Sequence, residues 1–231
     1  MKKWLPGTAA EALVDYALKI GAMELFLNEE IFRKLKSGRM SPYFFNSGKF
    51  CTGTSIGLLG DSFAESIKKT GIDYDVVFGP AYKGISLAVA TAMSLSRLGL
   101  PDAFAHDRKE EKLHGEGGIM VGSSMEGKKV ALIDDVTTDG KTKEVAMQRI
   151  KDSGGEVVAC FIAFDRQERG QNAISALEEF YINYKVPMYA AAELTDLFFV
   201  LDATANQYMD RAMAIPLIRQ YNDTYGVFPR A

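Results

Sequence analysis

The stretch Val130-Ala-Leu-Ile-Asp-Asp-Val-Thr-Thr-Asp-Gly-Lys-Thr142 decides how this chain folds. Its first four residues, 130–133, are apolar and predict a short buried strand. Asp134 and Asp135 follow at once, and a small polar loop then leads into residues 144–150, where apolar residues recur at helical spacing. The order of strand, acidic pair, loop and helix predicts an α/β unit. The candidate apolar positions of the helix are Val145, Met147 and Ile150.

The loop after the acidic pair suits a phosphate group. A loop that enters a helix N-terminus offers unpaired backbone N–H groups at the positive end of the helix dipole. Gly140 lets the backbone approach a ligand closely, and the threonines of the loop add hydroxyl donors. Asp134 and Asp135 instead accept hydrogen bonds from sugar hydroxyls or hold a hydrated Mg²⁺. A ribose 5-phosphate carries both kinds of group.

Two other interpretations of this stretch are open from the residues alone. Two adjacent acids after a strand also occur in ordinary surface turns. Gly140-Lys141-Thr142 is half of the Walker A motif, which needs a glycine five residues before Gly140. That position is Asp135, whose carboxylate would repel a triphosphate, so the sequence disfavours a P-loop nucleoside triphosphatase.

The segment resembles the phosphoribosyl-diphosphate (PRPP) binding motif of type I phosphoribosyltransferases, which is a hydrophobic strand, two acids and a Thr/Gly-rich loop. The usual loop ends in Thr-Ala-Gly-Thr-Ala, whereas this one ends in Thr138-Asp-Gly-Lys-Thr142. Backbone amide contacts are expected to survive that change. The resemblance implies that PRPP is bound by Asp134, Asp135, Val136, Thr137, Thr138, Asp139, Gly140, Lys141 and Thr142.

An N-terminal segment carries a second resemblance. Alternating apolar residues flank Ser37-Gly38, which predicts a hairpin. Phe44 and Phe45 are adjacent in a predicted strand and so point to opposite faces. The run from Lys36 to Asn46 resembles the Lys-Ser-Gly-Arg and Ser-Pro-Tyr-Phe-Phe-Asn segment of the orotate phosphoribosyltransferase family, where it forms a hood over the pyrimidine. The ligand contacts that this implies are Lys36, Phe44 and Phe45.

A third motif follows a short apolar strand predicted at residues 74–78. Gly79-Pro-Ala-Tyr-Lys-Gly84 precedes an apolar helix, so the unit reads as βαβ and predicts a parallel sheet. Ligands of such sheets bind at the carboxyl ends of strands, which places Tyr82 and Lys83 beside the acidic pair. A solvated turn lysine is the plain alternative. The motif matches the same family along its length, and this implies that Lys83 reaches the diphosphate.

The most unusual segment follows a strand predicted at residues 103–105. Residues 106–118 combine many charges with three glycines and both histidines of the chain, so we expect a mobile loop and not core. A disordered charged connector is the alternative. Arg108, Lys109, Lys112 and His114 match the Arg-Lys-Glu-x-Lys-x-His-Gly-Glu-Gly-Gly signature of the orotate family. Cations placed there would stabilise a leaving diphosphate as its charge grows.

Asp165-Arg-Gln-Glu-Arg-Gly170 ends a strand predicted at residues 156–164. An arginine there suits bidentate pairing with a carboxylate, and a structural ion pair is the alternative. Orotate differs from uracil by its carboxylate, and the resemblance implies that Arg166 binds it.

Composition sets the remaining bounds. The length of 231 residues fits one large α/β domain or one domain with an added subdomain, and 47% hydrophobic and 25% charged residues are ordinary for a globular protein. The net charge of −3 predicts no nucleic-acid partner. Glu11 and Asp15 interrupt any apolar leader, and no uncharged apolar stretch is long enough to predict a membrane span. Two cysteines without a spacing pattern predict a reducing cytoplasm.

The resemblance as a whole implies a type I phosphoribosyltransferase fold, a mostly parallel central sheet flanked by helices. Residues 1–231 would form one domain, with a small hood from the N-terminal ~50 residues and a mobile loop at 106–121. The implied reaction joins orotate and PRPP to give orotidine 5′-monophosphate and diphosphate in pyrimidine synthesis. Mg²⁺ would be held mainly by PRPP and water, and a homodimer would share the loop across its interface. The implied catalytic residues are Lys109, Lys112, Asp134 and Asp135.

Two other functions are weighed against this one. A phosphoribosyltransferase for a different base is disfavoured by Arg166, the hood and the charged loop. A PRPP-sensing binding protein without activity is disfavoured because Lys83, Lys109 and Lys112 are all present.

Overall fold

The computed structural model describes residues 8–112, 118–135, 141–170 and 172–227, with the backbone alone at 111–112 and 141–142. Its residues group into two compact units. Unit 1 takes the described residues up to Phe50, then Phe164–Glu179 and the described residues from Ala192 onward. Unit 2 takes the described residues of Cys51–Ala163 together with Phe180–Ala191.

Helices and strands alternate along most of the described chain. The helices are α1 (Ala9–Lys19), α2 (Gly53–Thr70), α3 (Lys83–Arg97), α4 (Lys141–Asp152), α5 (Ala176–Tyr184), α6 (Leu194–Thr204) and α7 (Met209–Tyr225). The strands are β1 (Met23–Leu25), β2 (Arg33–Lys34), β3 (Met40–Ser41), β4 (Tyr43–Phe45), β5 (Val76–Gly79), β6 (Ala103–Lys112), β7 (Gly118–Gly122), β8 (Lys129–Asp134), β9 (Glu156–Asp165) and β10 (Met188–Glu193).

The main sheet has the strand order β10-β9-β8-β5-β6-β7. Strand β5 pairs in parallel with both β6 and β8, and β8 pairs in parallel with β9. Helix α3 connects β5 to β6, so the predicted βαβ unit and the predicted mostly parallel sheet are confirmed. The carboxyl ends of β5 and β8 therefore meet at one edge of the sheet.

Strand β8 lies in the middle of this sheet, and residues 130–133 are fully buried, as predicted. The following helix was predicted correctly, but one of its predicted core positions is wrong, because Val145 is 53% exposed. The buried positions of α4 are instead Lys143, Ala146 and Ile150, which follow the i, i+3, i+7 spacing of one helix face. A lysine thus occupies a position that the helical period reserves for the core.

The strand predicted at residues 103–105 is longer than expected. Strand β6 continues to Lys112 and pairs antiparallel with β7, for example His106 with Val121 and Asp107 with Met120. The expectation that residues 106–112 are loop is therefore wrong for their backbone, because β7 supplies hydrogen-bond partners that a charged loop would lack. Residues 113–117 lie outside the described residues.

Unit 1 contains the N-terminal elements and the last two helices. From the sequence, Thr8 and Glu11 stand at the capping-box positions of a helix predicted over residues 8–27, and the capping box of α1 is confirmed. The predicted end of this helix is wrong, because α1 ends at Lys19: Gly21 has a φ of +70°, and the next residues pair as β1 with β4. The predicted hairpin around Ser37-Gly38 is confirmed by the pairing of β2 with β3.

Candidate active site

Asp134 ends strand β8 with both carboxylate oxygens bonded inside unit 2. Its Oδ1 accepts a hydrogen bond from the backbone N–H of Asp135 at 2.9 Å. Its Oδ2 accepts one from Lys143 Nζ at 2.7 Å. The two side chains are 10% and 2% exposed, so this ion pair is shielded from water.

Asp135 has a more open setting than its neighbour. Its Oδ2 lies 2.8 Å from Lys83 Nζ, and the lysine side chain is 61% exposed. Its carbonyl oxygen accepts the N–H of Ala163 from the adjacent strand β9. The predicted meeting of the Lys83 loop with the acidic pair is therefore confirmed. This contact joins the ends of β5 and β8 through opposite charges.

The loop that presents Lys83 depends on two glycines. A Cβ on Gly79 would lie 1.9 Å from the carbonyl oxygen of Gly84, and a Cβ on Gly84 would lie 2.6 Å from Pro80 Cδ. Strand β5 and helix α3 consequently approach as closely as their backbones allow. The peptide between Ala81 and Tyr82 is cis.

Asp107 connects this loop to two other elements. It is 3% exposed, and its Oδ1 accepts the backbone N–H of Ala81 at 2.5 Å. Its other oxygen pairs with Arg149 of α4, whose guanidinium also donates to the carbonyl of Arg108 at 3.2 Å. One buried carboxylate thus joins the loop before α3, strand β6 and helix α4.

A cavity of about 310 Å³ lies beside Asp107 in unit 2. Its walls are the loop around Tyr82 and residues 106–110 of β6. Lys109 Nζ lies 5.9 Å from the centroid of the exposed Tyr82 ring, and Arg108 Nη1 donates to the carbonyl of Gly118 at 3.0 Å. Tyr82, Arg108 and Lys109, which the sequence predicted as ligand contacts, therefore surround one cavity.

Arg166 belongs to unit 1 and is held by hydrogen bonds and by an aromatic ring. Its Nε donates to Glu168 Oε1 at 2.6 Å, its Nη2 to Ser41 Oγ at 2.7 Å, and its Cζ lies 4.0 Å from the centroid of the Tyr43 ring. Glu168 also accepts from Arg39 Nη1 at 2.8 Å. The arginine is therefore oriented by a network of side chains within its own unit.

The predicted hood residues also lie in unit 1. Lys36 is exposed in the turn between β2 and β3. Phe44 is half-buried, with the Arg33 guanidinium 4.9 Å from its ring centroid. Phe45 is buried and stacks on Phe164 at 5.5 Å. The predicted alternation of Phe44 and Phe45 between two faces agrees with this difference in burial.

The other predicted contacts lie outside the described residues. His114 and residues 136–140 are not described, and of Lys112, Lys141 and Thr142 only the backbone is. Among the described residues, no three histidine, cysteine or carboxylate side chains are grouped as metal ligands. In the same part of the chain, no helix is long and apolar enough to cross a membrane.

Sequence reasoning missed three site residues, namely Lys143, Asp107 and Arg149. Lys143 occupies an apolar slot in the helical period, and that mismatch was the available signal. Asp107 and Arg149 gave no signal, because their meeting depends on how β6 and α4 pack.

The fold and the paired acids after β8 define a phosphoribosyltransferase, and the phosphoribosyl transferase domain family matches residues 54–183. The orotate phosphoribosyltransferase of Cellvibrio japonicus is 42% identical over 84% of this chain and 88% of that protein. That of Cupriavidus metallidurans is 37% identical over 96% of this chain and 97% of its own length. The chain belongs to the orotate phosphoribosyltransferase family.

A solved structure agrees with the sequence relatives. The crystal structure of orotate phosphoribosyltransferase from Francisella tularensis is 33% identical, with a TM-score of 0.75, and covers 92% of this chain and 98% of that one. The predicted fold, a type I phosphoribosyltransferase with a mostly parallel sheet flanked by helices, is confirmed.

Proposed function

We propose that this protein transfers ribose 5-phosphate from PRPP to orotate, giving orotidine 5′-monophosphate and diphosphate. The observation that carries the proposal is the contact between Lys83 and Asp135 where β5 and β8 end. It supports the proposal because a cation that suits a diphosphate lies next to an anion that suits ribose hydroxyls. Family membership supplies the choice of base.

The proposed PRPP site lies at this edge of the sheet. Asp134 and Asp135 orient the ribose hydroxyls, and residues 136–142 bind the 5-phosphate through backbone N–H groups at the start of α4. Lys83 and Tyr82 face the diphosphate. The cavity beside Asp107 supports that placement, because it lies between the Tyr82 loop and the cations of β6.

The bond from C1 of the ribose to the diphosphate oxygen breaks as orotate N1 attacks C1. The electron pair leaves with the diphosphate, so cations that meet it there favour the transition state over the ground state. Arg108, Lys109, Lys112 and His114 supply these cations, with Lys112 as the residue that stabilises charge or donates a proton. Closure of residues 106–121 excludes water, which would otherwise hydrolyse the oxocarbenium-like centre.

Mg²⁺ is the cofactor that we propose, held mainly by PRPP oxygens and water. The donor set fits this mode, since Asp134 and Asp135 each contact a lysine and no third ligand is grouped with them in the described part of the chain. When bound, the cation neutralises charge on the diphosphate.

Orotate recognition rests on residues of unit 1. Arg166 is proposed to bind the orotate carboxylate, since a guanidinium offers two parallel donors to a carboxylate. Lys36, Phe44 and Phe45 contact the base. The network around Arg166 supports the proposal, because it fixes the guanidinium before the substrate arrives.

The assembly proposed is a cytoplasmic homodimer of one-domain chains that share the 106–121 segment across the interface. PRPP and orotate are the partners, with no nucleic acid or membrane. Mixtures of Lys112→Ala and Arg166→Lys chains, assayed at an orotate concentration well below the KM of Arg166→Lys, test the sharing. If the segment is shared, one of the two sites of each hybrid dimer combines an unchanged Lys112 with an unchanged Arg166 and regains activity.

A direct assay tests the reaction. Purified protein with Mg²⁺ and PRPP is given orotate, uracil or hypoxanthine, and consumption of each base is followed by chromatography. We expect orotate alone to be consumed, with one diphosphate released per turnover. Consumption of another base in place of orotate would refute the assignment.

A further inference from the structure

We propose that Lys143 is a positioning residue for this reaction, one that holds Asp134 and the base of the phosphate-binding loop in their working geometry. The inference rests on the proposed function. It assigns a role to a side chain in the first turn of α4, at a position where the helical period calls for an apolar residue.

The contact between Lys143 and Asp134 joins two consecutive elements, β8 and α4. The chain leaves β8 at Asp134 and enters α4 at Lys141, so the loop that would bind the 5-phosphate lies between these points. Lys143 Nζ lies 2.7 Å from Asp134 Oδ2 and joins the start of the helix to the end of the strand. The ion pair therefore ties the end of β8 to the first turn of α4.

The contact is also the buried end of a chain of polar contacts. Asp134 Oδ1 accepts the N–H of Asp135, and the Asp135 carboxylate meets Lys83. Rotation of the Asp134 carboxylate would break its bond to Asp135 and displace the side chain that faces the ribose hydroxyls. Lys143 prevents that rotation without being exposed to substrate, since its side chain is only 2% exposed.

Because Lys143 and Asp134 are buried, each charge depends on the other for its stability. Cys160 of β9 is fully buried beside it, and burial raises the pKa of the Cys160 thiol to about 12, with Lys143 opposing and Asp134 reinforcing that effect. The Lys143 side chain is only 2% exposed and that of Asp134 only 10%, so the pair is largely shielded from solvent. Removing the ammonium leaves a buried carboxylate unpaired, which is far more costly than removing both charges together.

The test uses four variants. Lys143→Met keeps the apolar stem and removes the charge, Asp134→Asn removes the partner charge, and the double variant removes both. Lys151→Met is the matched control, because it changes an exposed lysine of the same helix. Steady-state kinetics with each substrate is combined with calorimetric titration of PRPP and thermal unfolding.

We expect Lys143→Met to raise the KM and Kd for PRPP about 10- to 100-fold, the effect of losing one charge-assisted hydrogen bond. The KM for orotate and the kcat should stay within about twofold, because the ribose contacts act alike in the ground and transition states. The double variant should match Asp134→Asn in PRPP affinity, because the proposed effect of Lys143 on PRPP passes through Asp134. Lys151→Met should match wild type.

Three results would overturn the inference. The first is a PRPP KM for Lys143→Met that equals the wild-type value. The second is an equal loss for both substrates, which would mean general structural damage. The third is a double variant whose PRPP affinity differs more than about threefold from that of Asp134→Asn. This comparison still tests the inference if Lys143→Met does not fold, because the double variant lacks both charges of the pair. Failure of wild type to consume orotate would instead refute the proposed function, and the PRPP titration would still test Lys143.

Discussion

Replacing Asp165 by asparagine is expected to stabilise this protein, and to do so more as the pH rises. Asp165 is the last residue of β9, and burial raises the pKa of its carboxyl to about 6. The backbone N–H of Gln167 opposes this rise, and the nearby Glu193 and Glu168 add to it. An asparagine keeps an oxygen for the Gln167 N–H, which lies 2.9 Å from Asp165 Oδ1, but carries no charge.

The size of the effect follows from the two pKa values of this carboxyl. The ordinary value is 3.8 and the folded value is about 6. Between these values the folded state binds more protons than the unfolded state, so the free energy of unfolding falls as pH rises. Above pH 6 the charged carboxylate costs about 3 kcal/mol, at 1.36 kcal/mol per pH unit of difference. Asp165→Asn should recover about that amount at pH 7.5, about half of it at pH 5, and almost none at pH 3.8.

Circular dichroism recorded during thermal unfolding tests this prediction. At pH 7.5 we expect Asp165→Asn to raise the Tm by about 6 to 12 °C, at 2–4 °C per kcal/mol for a chain of this length. Asp223→Asn is the control, because it removes an exposed acid from α7 of the same unit. A gain that is the same at pH 5 and pH 7.5, or a lower Tm at pH 7.5, would refute the reasoning.

Three further predictions concern other parts of the molecule. Lys112→Ala should lower kcat by about 10²–10⁴ in steady-state assays if the lysine acts as an acid, with an unchanged Tm. Arg166→Lys should raise the KM for orotate at least about tenfold and leave the KM for PRPP unchanged, because lysine cannot pair bidentately with a carboxylate. Gly79→Ala should lower the free energy of unfolding by about 1–3 kcal/mol or more in urea titrations, since its Cβ would lie 1.9 Å from the Gly84 oxygen.

Each of these predictions has a control or an opposing outcome. An unchanged kcat would remove Lys112 from the chemistry. Equal rises in both KM values for Arg166→Lys would mean that the arginine supports unit 1 and does not select the base. Gly57→Ala is the matched control for Gly79→Ala, because a Cβ there has no atom within 4 Å and helix α2 should gain about 0.5–1 kcal/mol. Loss of stability in both alanine variants would contradict the steric argument.

The elements that the sequence predicted well are those whose signal is local. Residues 130–133 are apolar, short and bounded by charge, so they read as a buried strand wherever they lie in a sheet. Gly79 and Gly84 bound a turn that follows a predicted strand and precedes a predicted helix, and this order is local too. The capping box at Thr8 is visible as two residues at fixed spacing. Each of these features depends on neighbours within a few positions along the chain.

The features that escaped prediction depend on distant partners. Nothing near residues 106–112 predicts that β6 continues to Lys112, because the partner of this part of the strand is β7. From the sequence alone, a lysine at position 143 is expected to face solvent. It is buried because the end of β8 places the Asp134 carboxylate beside it. Asp107 and Arg149 are 42 residues apart, and their contact exists only once β6 and α4 are packed. Asp107 and Asp134 are buried where tertiary structure supplies an arginine or a lysine.

The solvent exposure of the two acid–lysine contacts, Lys83–Asp135 and Lys143–Asp134, predicts which of them changes when substrate binds. Breaking an ion pair that faces water costs about 0–1 kcal/mol, whereas breaking a buried one costs about 3–5 kcal/mol. Lys83 is 61% exposed in its contact with Asp135, and Lys143 is 2% exposed in its contact with Asp134. In the binding mode proposed above, PRPP brings an anion for Lys83 and hydroxyls for Asp135, and would replace the first contact on both sides. We therefore expect PRPP to separate Lys83 from Asp135 while Asp134 stays bonded to Lys143, which makes Asp135 the carboxylate that moves and Asp134 the one against which it is aligned.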